Sequence, residues 1–183
     1  FNDVIADPNG RVFCGIMSIK EKKGSLFRLN IDHSLTKVID QTGTSNGMGF
    51  NKTETKFYFC DSMNCTVSEF DYDKLTGNIF NRKIIFETDF DKMGRPDGMC
   101  VDFQDNIWIA LWNGWGIIKI NSNGELLNKI KMPVRKVTNV CFGGENYTDI
   151  YVNSAGYDNK KANGDLSGSL FKIKSSFIGK KEF

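Results

Sequence analysis

Four pairs of short segments with alternating apolar and polar residues recur along this chain, and they constrain its fold more than any other feature. Each segment is bounded by Gly, Asn, Asp or Ser, which is typical of a β-strand that ends in a tight turn. No long window has the spacing of apolar residues that an amphipathic helix requires. The pairs are RVFCGIM with GSLFRLNI, KFYFCDS with TVSEFDYD, NIWIALW with GWGIIKIN, and DIYVNSA with GSLFKIK.

The pairs follow one another at intervals of about 40 to 50 residues, the length of one four-stranded blade of a β-propeller. The stretches between the pairs supply the other strands of each blade: KVIDQT, SNGMGF, RKIIFET, DGMCVDF, LLNKIKM and VTNVCFG. We therefore predict an all-β propeller, of which about four blades are present in this chain.

Composition excludes several classes of partner. The net charge of +2 is close to neutral, and no basic stretch alternates with aromatic residues, so we predict no nucleic-acid partner. No apolar run approaches the roughly 20 residues that cross a bilayer, so we predict no membrane partner. Three tryptophans, Trp108, Trp112 and Trp115, are assigned to packing between blades, with Asn113 and Trp115 as possible residues of a channel mouth.

The five cysteines are scattered, and most lie in apolar runs, as small buried hydrophobic residues do. There is no CxxC motif and only one histidine, His33, so a Cys/His zinc site and a His-dependent catalytic triad are excluded. We interpret the cysteines as reduced thiols of a cytoplasmic protein. Three Asn-X-Thr sequons would matter only if the protein were secreted.

A polar residue recurs at the entry to the first strand of every repeat. The short motifs are FND, SNG, PDG and VTN, which contain Asn2, Asn46, Asp97 and Asn139. The innermost strands of a propeller line its central channel, so their entry points meet at one mouth of the channel. Side-chain oxygens around one point suit a hard cation such as Ca²⁺, Mg²⁺ or Mn²⁺.

Each of these residues also has a purely structural interpretation. Pro-Asp-Gly is a common turn, in which Asp97 would cap the backbone of the residues that follow it. Asn46 and Gly47 form a dipeptide typical of a hairpin turn. Asp61 and Asp102 are interpreted as solvated caps of turns, and His33 as a surface residue. The observation that favours a cation site over these structural roles is that the residues share one position in successive repeats.

The longer motifs FDYDKLTGNIFNRK and PDGMCVDFQDNIWIALWNG resemble the SMP-30/gluconolactonase/luciferin-regenerating-enzyme family, and within it the animal regucalcin (senescence marker protein 30) branch. The segments FNDVIADPNGRVFCGIM and CFGGENYTDIYVNSA extend the resemblance over most of the chain. The resemblance implies a six-bladed propeller that binds one divalent cation (Ca²⁺, Zn²⁺, Mn²⁺ or Mg²⁺) in its channel and hydrolyses sugar lactones.

Carried over by position, the resemblance implies roles for single residues. Asn46 and Asp97 would be metal ligands, Asp97 would also be the catalytic general base, and Asn2 would contact the substrate. The lid segment of the family is altered here to GIMSIKEKKGS. Lys20 takes its carboxylate position, and Glu21 beside it becomes the candidate substrate-binding carboxylate. The altered lid leaves the substrate preference open.

The family also takes a glutamate from its first blade as a third metal ligand, and an arginine that precedes the FND motif. Neither lies within residues 1–183, so we expect this chain to be the C-terminal part of one propeller domain. Roughly a hundred residues would be missing from the N-terminus, two blades at the usual repeat length. An open arc exposes unpaired edges, and the missing N-terminal blades would be needed to close the ring and restore activity.

Three functions remain open at this point. The first is a metal-dependent hydrolase of sugar lactones in which Asp97 activates water. The second is a non-enzymatic calcium-binding regulatory protein that uses the same site. The third is a related esterase, phosphotriesterase or luciferin-regenerating-type protein, which the altered lid would allow.

Overall fold

The chain folds into four antiparallel sheets, and a computed structural model describes residues 1–18, 24–156 and 160–182. Each sheet is one blade, in which the strands lie side by side in chain order. Blade I holds β1 (Val4–Ala6), β2 (Val12–Gly15), β3 (Gly24–Leu29) and β4 (Leu35–Thr42); blade II holds β5 (Ser45–Phe50), β6 (Lys56–Asp61), β7 (Thr66–Asp73) and β8 (Asn78–Glu87); blade III holds β9 (Arg95–Val101), β10 (Ile107–Trp112), β11 (Gly116–Ile120) and β12 (Leu126–Lys131); and blade IV holds β13 (Val137–Gly143), β14 (Asp149–Ser154) and β15 (Leu170–Lys174).

This architecture confirms the predicted all-β propeller with about four blades. All four predicted pairs are antiparallel hairpins, formed by β2 with β3, β6 with β7, β10 with β11, and β14 with β15. Two short helices were not predicted: α1 (Phe90–Met93), between blades II and III, and α2 (Lys160–Asn163), between β14 and β15. Within the described ranges, no helix is long and apolar enough to cross a membrane.

Hydrophobic cores lie between neighbouring blades rather than within one blade. Phe13 of blade I packs with Phe50 and Phe57 of blade II. Further cores of the same kind join blade II to blade III and blade III to blade IV, the last around Trp108. Because blades II and III each bury their two faces against different neighbours, the four blades take up fixed positions around one axis. The inner strands β1, β5, β9 and β13 follow one another around that axis.

An Asp or Asn side chain holds the turn between the first two strands of blades I, II and III. The Oδ1 atoms of Asp7, Asn51 and Asp102 each accept two backbone N–H groups of the turn, at 2.8 or 2.9 Å. The interpretation of Asp61 and Asp102 as solvated caps is wrong, because they are 2% and 1% exposed. Asp61 accepts the N–H groups of the segment that joins blades I and II.

Candidate active site

Every inner strand has an irregular register where it enters the channel. In β5 two residues separate Ser45 from Met48, while their partners in β6, Asp61 and Phe59, are separated by one. An extra residue of this kind is a β-bulge, which re-aims side chains and is frequent beside functional sites. The same irregularity occurs in β9 and β13. In blade I, Gly15 pairs with both Asn2 and Asp3, through one backbone hydrogen bond to each.

The bulges surround a cavity of about 470 Å³ to which all four blades contribute. The four residues that the repeat predicted to meet do line this one cavity. Its lining residues are Asn2, Asp3, Met17, Thr44, Asn46, Ser62, Met63, Arg95, Asp97, Trp112, Thr138 and Asn139. The roles assigned to Asn2, Asn46 and Asp97 stay predictions. Glu21 lies outside the described residues, as does Lys20.

The interpretation of SNG and PDG as turns is wrong. Asn46 with Gly47, and Asp97 with Gly98, lie inside strands β5 and β9, and neither glycine has a positive φ. The two glycines instead allow the inner strands to approach closely. A Cβ atom at Gly47 would lie 2.5 Å from the carbonyl oxygen of Asp97, and one at Gly98 would lie 2.7 Å from that of Thr138. Neither distance leaves room for a side chain.

Two hydrogen bonds fix the orientation of the Asn46 side chain, which is 9% exposed. Ser62 donates its hydroxyl hydrogen to the carbonyl oxygen of Pro96 at 2.5 Å. The Ser62 oxygen must therefore accept the bond it makes with Asn46 Nδ2 at 3.0 Å. This assignment leaves Asn46 Oδ1 as the atom with acceptor capacity for a ligand.

Asp97 lies in a poorly solvated part of the cavity. Burial raises the pKa of the Asp97 carboxyl group to about 7, although hydrogen bonds from Asn46 and the Gly98 N–H act in the opposite direction. The negative charge of Asp3 raises the pKa of Asp97 further. The pKa of Asp3 is itself raised by burial. Two carboxyl groups that are this poorly solvated make the cavity a favourable place for positive charge.

The donor set fits a hard cation. Asn46 Oδ1 and the Asp97 carboxylate are oxygen ligands of the type that Ca²⁺, Mg²⁺ and Mn²⁺ prefer. Across the three described ranges, no group of three or more His, Cys, Asp or Glu side chains could hold a metal ion. A cation here would therefore rely on neutral oxygens and on ligands from elsewhere. Asn139 is less suited, because its Oδ1 already accepts the Val140 N–H at 2.8 Å.

Several lining residues were not predicted as site residues. Asp3 follows Asn2 directly, so its position in the FND motif was a usable signal. Ser62 and Trp112 end the first segment of a predicted pair, as Met17 does, so this shared position was a second usable signal. No repeat marks the charge of Arg95, at the start of β9. Because Trp112 lines the cavity, its assignment to packing alone is wrong.

The structure also tests the predictions for Asn113, for the other two tryptophans and for His33. Asn113 and Trp115 are not among the residues that line the cavity. Trp108 is fully buried in the core between blades III and IV, as expected. His33 is exposed in the turn between β3 and β4, so its interpretation as a surface residue is confirmed.

Comparisons with known proteins agree with this architecture. Pentonolactonase XacC of Haloferax volcanii is 40% identical over the whole of this chain, which spans 65% of that protein. Regucalcin of Danio rerio is 39% identical over 85% of this chain, which spans 54% of that protein. A solved luciferin-regenerating enzyme superposes with a TM-score of 0.89 at 32% identity, covering 99% of this chain and 63% of the enzyme.

The chain thus spans less than two thirds of the length of these relatives. A family model described as the SMP-30/gluconolactonase/LRE-like region matches residues 1–156. This match covers the first three blades and the cavity residues of the fourth. The chain belongs to the SMP-30/gluconolactonase/LRE-like family.

Proposed function

We propose that the whole protein hydrolyses sugar lactones and uses one divalent cation, with Asp97 as the catalytic base. The observation that carries this proposal is the position of Asp97: a poorly solvated carboxyl group beside Asn46 in a cavity that all four blades line. The 40% identity to a protein named pentonolactonase supports the substrate class.

Asn46 and Asp97 would hold the cation. The neutral amide of Asn46 contributes an oxygen without adding negative charge, which preserves the electrophilic character of the site. When bound, the cation would supply Lewis acidity toward the carbonyl oxygen of the lactone. Ca²⁺, Zn²⁺, Mn²⁺ and Mg²⁺ are the candidates, and the oxygen ligands favour the harder ions among them.

Asp97 would accept the proton of the water molecule that attacks the carbonyl carbon. A carboxylate bound to a cation is held in its ionised form, and it is then a weak base. A lactone is an activated ester, so a weak base suffices. As the bond between the carbonyl carbon and the ring oxygen breaks, the leaving ring oxygen would take the proton back from Asp97 and become a hydroxyl group of the product acid.

Asn2 would contact the substrate. Its Nδ2 donates to the Ser45 carbonyl oxygen at 3.0 Å, which holds the side chain at the cavity. Glu21 is proposed as a second substrate-binding residue on sequence grounds alone. Residues 1–183 would form the C-terminal part of one propeller domain, closed by N-terminal blades. The five cysteines form no disulfide, which supports a cytoplasmic location.

The test is the Asp97→Asn variant of the whole protein, assayed with a sugar lactone and each of the four cations. We expect kcat to fall by about 10²-fold or more, the usual contribution of a general base. Asp32→Asn is the matched control, because Asp32 is exposed in a hairpin turn outside the cavity. Chelation with EDTA should abolish wild-type activity. Turnover that Asp97→Asn leaves unchanged would exclude this mechanism.

A second candidate is a calcium-binding protein without lactonase activity. The oxygen-only ligands at Asn46 and Asp97 suit Ca²⁺, and several relatives that are 36% to 39% identical are named regucalcin. Titration calorimetry separates the two functions. Submicromolar Ca²⁺ binding without hydrolysis of any lactone would favour the second candidate.

A further inference from the structure

Arg95 contributes the one cationic side chain among the described residues that line the cavity. It lies at the start of β9, two residues before Asp97. The other charged residues of the lining are the acids Asp3 and Asp97. The cavity therefore has an acidic part and one basic group, and the proposed function uses only the acidic part.

The guanidinium group of Arg95 is held in place without being neutralised. Its Cζ atom lies 4.6 Å from the centre of the Phe90 ring, and its Nη1 contacts the sulfur of Met63. Its Nε atom is buried and has no hydrogen-bond partner. Among the residues that the structure describes, no carboxylate lies within ion-pair distance of Arg95.

This arrangement is costly unless a ligand completes it. A buried N–H group without an acceptor forfeits the hydrogen bond that water gave it. A thioether sulfur is only a weak acceptor, so Met63 does not satisfy the charge. The Phe90 ring lies against the guanidinium group, whose planar fork matches the two oxygens of a carboxylate or a phosphate.

We propose that Arg95 binds an anionic group, a carboxylate or a phosphate, that the substrate carries away from its lactone carbonyl. The substrate class is then an acidic sugar lactone rather than a neutral one. This inference rests on the proposed function, because it places the reacting carbonyl at Asp97 in the same cavity. It makes Arg95 a residue that determines specificity and not one that acts on the reacting atoms.

The experiment compares three substrates on the whole protein: a neutral aldonolactone, a lactone with a second carboxylate, and a phosphorylated aldonolactone. In Arg95→Gln, we expect kcat/KM for the wild type's preferred acidic lactone to fall about 10- to 100-fold, the range for a charge-assisted hydrogen bond. The value for the neutral lactone should change less than about twofold. The acidic substrate whose kcat/KM falls more in Arg95→Gln identifies the anionic group that Arg95 binds.

Two further variants sharpen the comparison. Arg95→Lys keeps the charge without the fork, so it should retain part of the preference for the acidic lactone. Arg82→Gln is the matched control, because Arg82 lies on the outermost strand of blade II and donates to Ser68 there. It should leave the ratio of the two kcat/KM values unchanged.

Equal losses on acidic and neutral lactones would overturn the inference, as would a wild-type preference for the neutral substrate. So would a fall in the melting temperature of Arg95→Gln with an unchanged ratio, because Arg95 would then pair with a carboxylate elsewhere in the protein. If the wild type hydrolyses no lactone, the proposed function fails. Calorimetry with an aldarate and a phosphorylated aldonate then decides the inference: binding that Arg95→Gln weakens supports it, and unaffected or absent binding overturns it.

Discussion

Ser62 shows how one side chain outside the proposed metal ligands can orient a residue of the cavity. Its hydroxyl group donates to Pro96 in β9 and accepts from Asn46 in β5. It therefore connects the two inner strands that carry the proposed metal ligands, and it selects which end of the Asn46 amide faces the cavity. Ser62 is also 7% exposed, so water cannot easily take its place.

Replacing Ser62 with Ala should weaken cation binding. The Asn46 amide would lose the partner that keeps its Nδ2 away from the ligand position. Residues that orient a ligand in this way usually contribute about 10- to 100-fold to metal affinity. Titration calorimetry with Ca²⁺ or Mn²⁺ on the whole protein measures the effect.

Ser68→Ala is a suitable control for that experiment. Ser68 is a fully buried serine of the same blade, and its hydroxyl group accepts a hydrogen bond from Arg82. It has no contact with Asn46. If Ser62→Ala bound the cation as tightly as Ser68→Ala did, Asn46 would not depend on Ser62 for its orientation.

At the scale of strands and turns, Asp7 joins blade I to blade II. It accepts a 2.5 Å bond from Arg11 Nε within its own turn and a 2.7 Å bond from the hydroxyl group of Tyr72 in β7. Arg11 also donates to the carbonyl oxygens of Lys74 and Leu75 in blade II. The turn of one blade is thereby fastened to the next.

The Asp7 network predicts a dependence of stability on pH. Burial acts to raise the pKa of Asp7, but the bonds from Tyr72 and Arg11 outweigh it, so the pKa lies below its ordinary value of 3.8. A lowered folded-state pKa stabilises the protein above the unfolded-state value of about 3.9. That stabilisation is lost as the pH falls below about 4 and passes the folded-state pKa.

In Asp7→Asn, the free energy of unfolding at pH 7 should fall by about 3 kcal/mol, because the buried Arg11 loses its counterion. The difference between wild type and variant should shrink as the pH falls from 4 toward 2. Urea unfolding followed by tryptophan fluorescence measures both quantities. The exposed Asp91→Asn serves as control. A difference that stays constant down to pH 2 would show that Asp7 does not titrate as proposed.

The strands could be predicted from the sequence, but their irregularities could not. The alternation of apolar and polar residues predicted all four hairpins, since the side chains of a half-buried strand repeat with a period of two. The dipeptides Asn46–Gly47 and Asp97–Gly98 have the composition of turns, yet they lie inside strands. Only the neighbouring inner strands, which leave no room for a side chain there, explain the two glycines.

The candidate site was predictable to the extent that the repeat encodes it. Asn2, Asn46, Asp97 and Asn139 share one position in successive blades, and this position places them at one cavity. Arg95 and Ser62 are harder to predict: Ser62 shares its repeat position with Met17 and Trp112, but neither an arginine nor a serine at a strand end marks a function by itself. Their importance depends on contacts between blades, which a single strand pattern does not contain.

At the scale of the whole molecule, the outer face of blade I is apolar. Residues paired across neighbouring strands project from the same face of a sheet. In blade I, two rows of such residues project from the face opposite the one that carries Ile5 and Phe13 into the core. Val4 and Leu35, at the ends of these rows, are 55% and 60% exposed. The rows are Val4–Cys14–Phe27–Lys37 and Ala6–Val12–Leu29–Leu35, so the only charged member is Lys37 on the outermost strand β4.

An apolar sheet face is the surface on which another blade of a propeller would pack. Four blades that cover 63% of the matched luciferin-regenerating enzyme correspond to about six in a whole ring. We therefore expect a preceding blade to cover the face of blade I in the whole protein. In a fragment of residues 1–183 alone, the same face would be available for association between copies.

The paired substitution Val12→Glu with Leu29→Lys tests this expectation, because these residues are direct cross-strand partners and would form an ion pair. In the isolated fragment, the pair should raise the monomer fraction measured by sedimentation. In the whole protein it should lower the melting temperature, since two charges would be buried against the next blade.

For the isolated fragment, the matched control is Asn153→Glu with Leu170→Lys, a cross-strand pair on the exposed and more polar face of blade IV. Leu170 is 64% exposed, and its partner is already polar, so association of the fragment should not change. The Val12–Leu29 substitutions should reduce association of the fragment but destabilise the whole protein. A face that is apolar but not covered by another blade would show the first effect without the second. A wild-type fragment that is folded and monodisperse as a monomer would refute the expectation, because blade I would then need no covering.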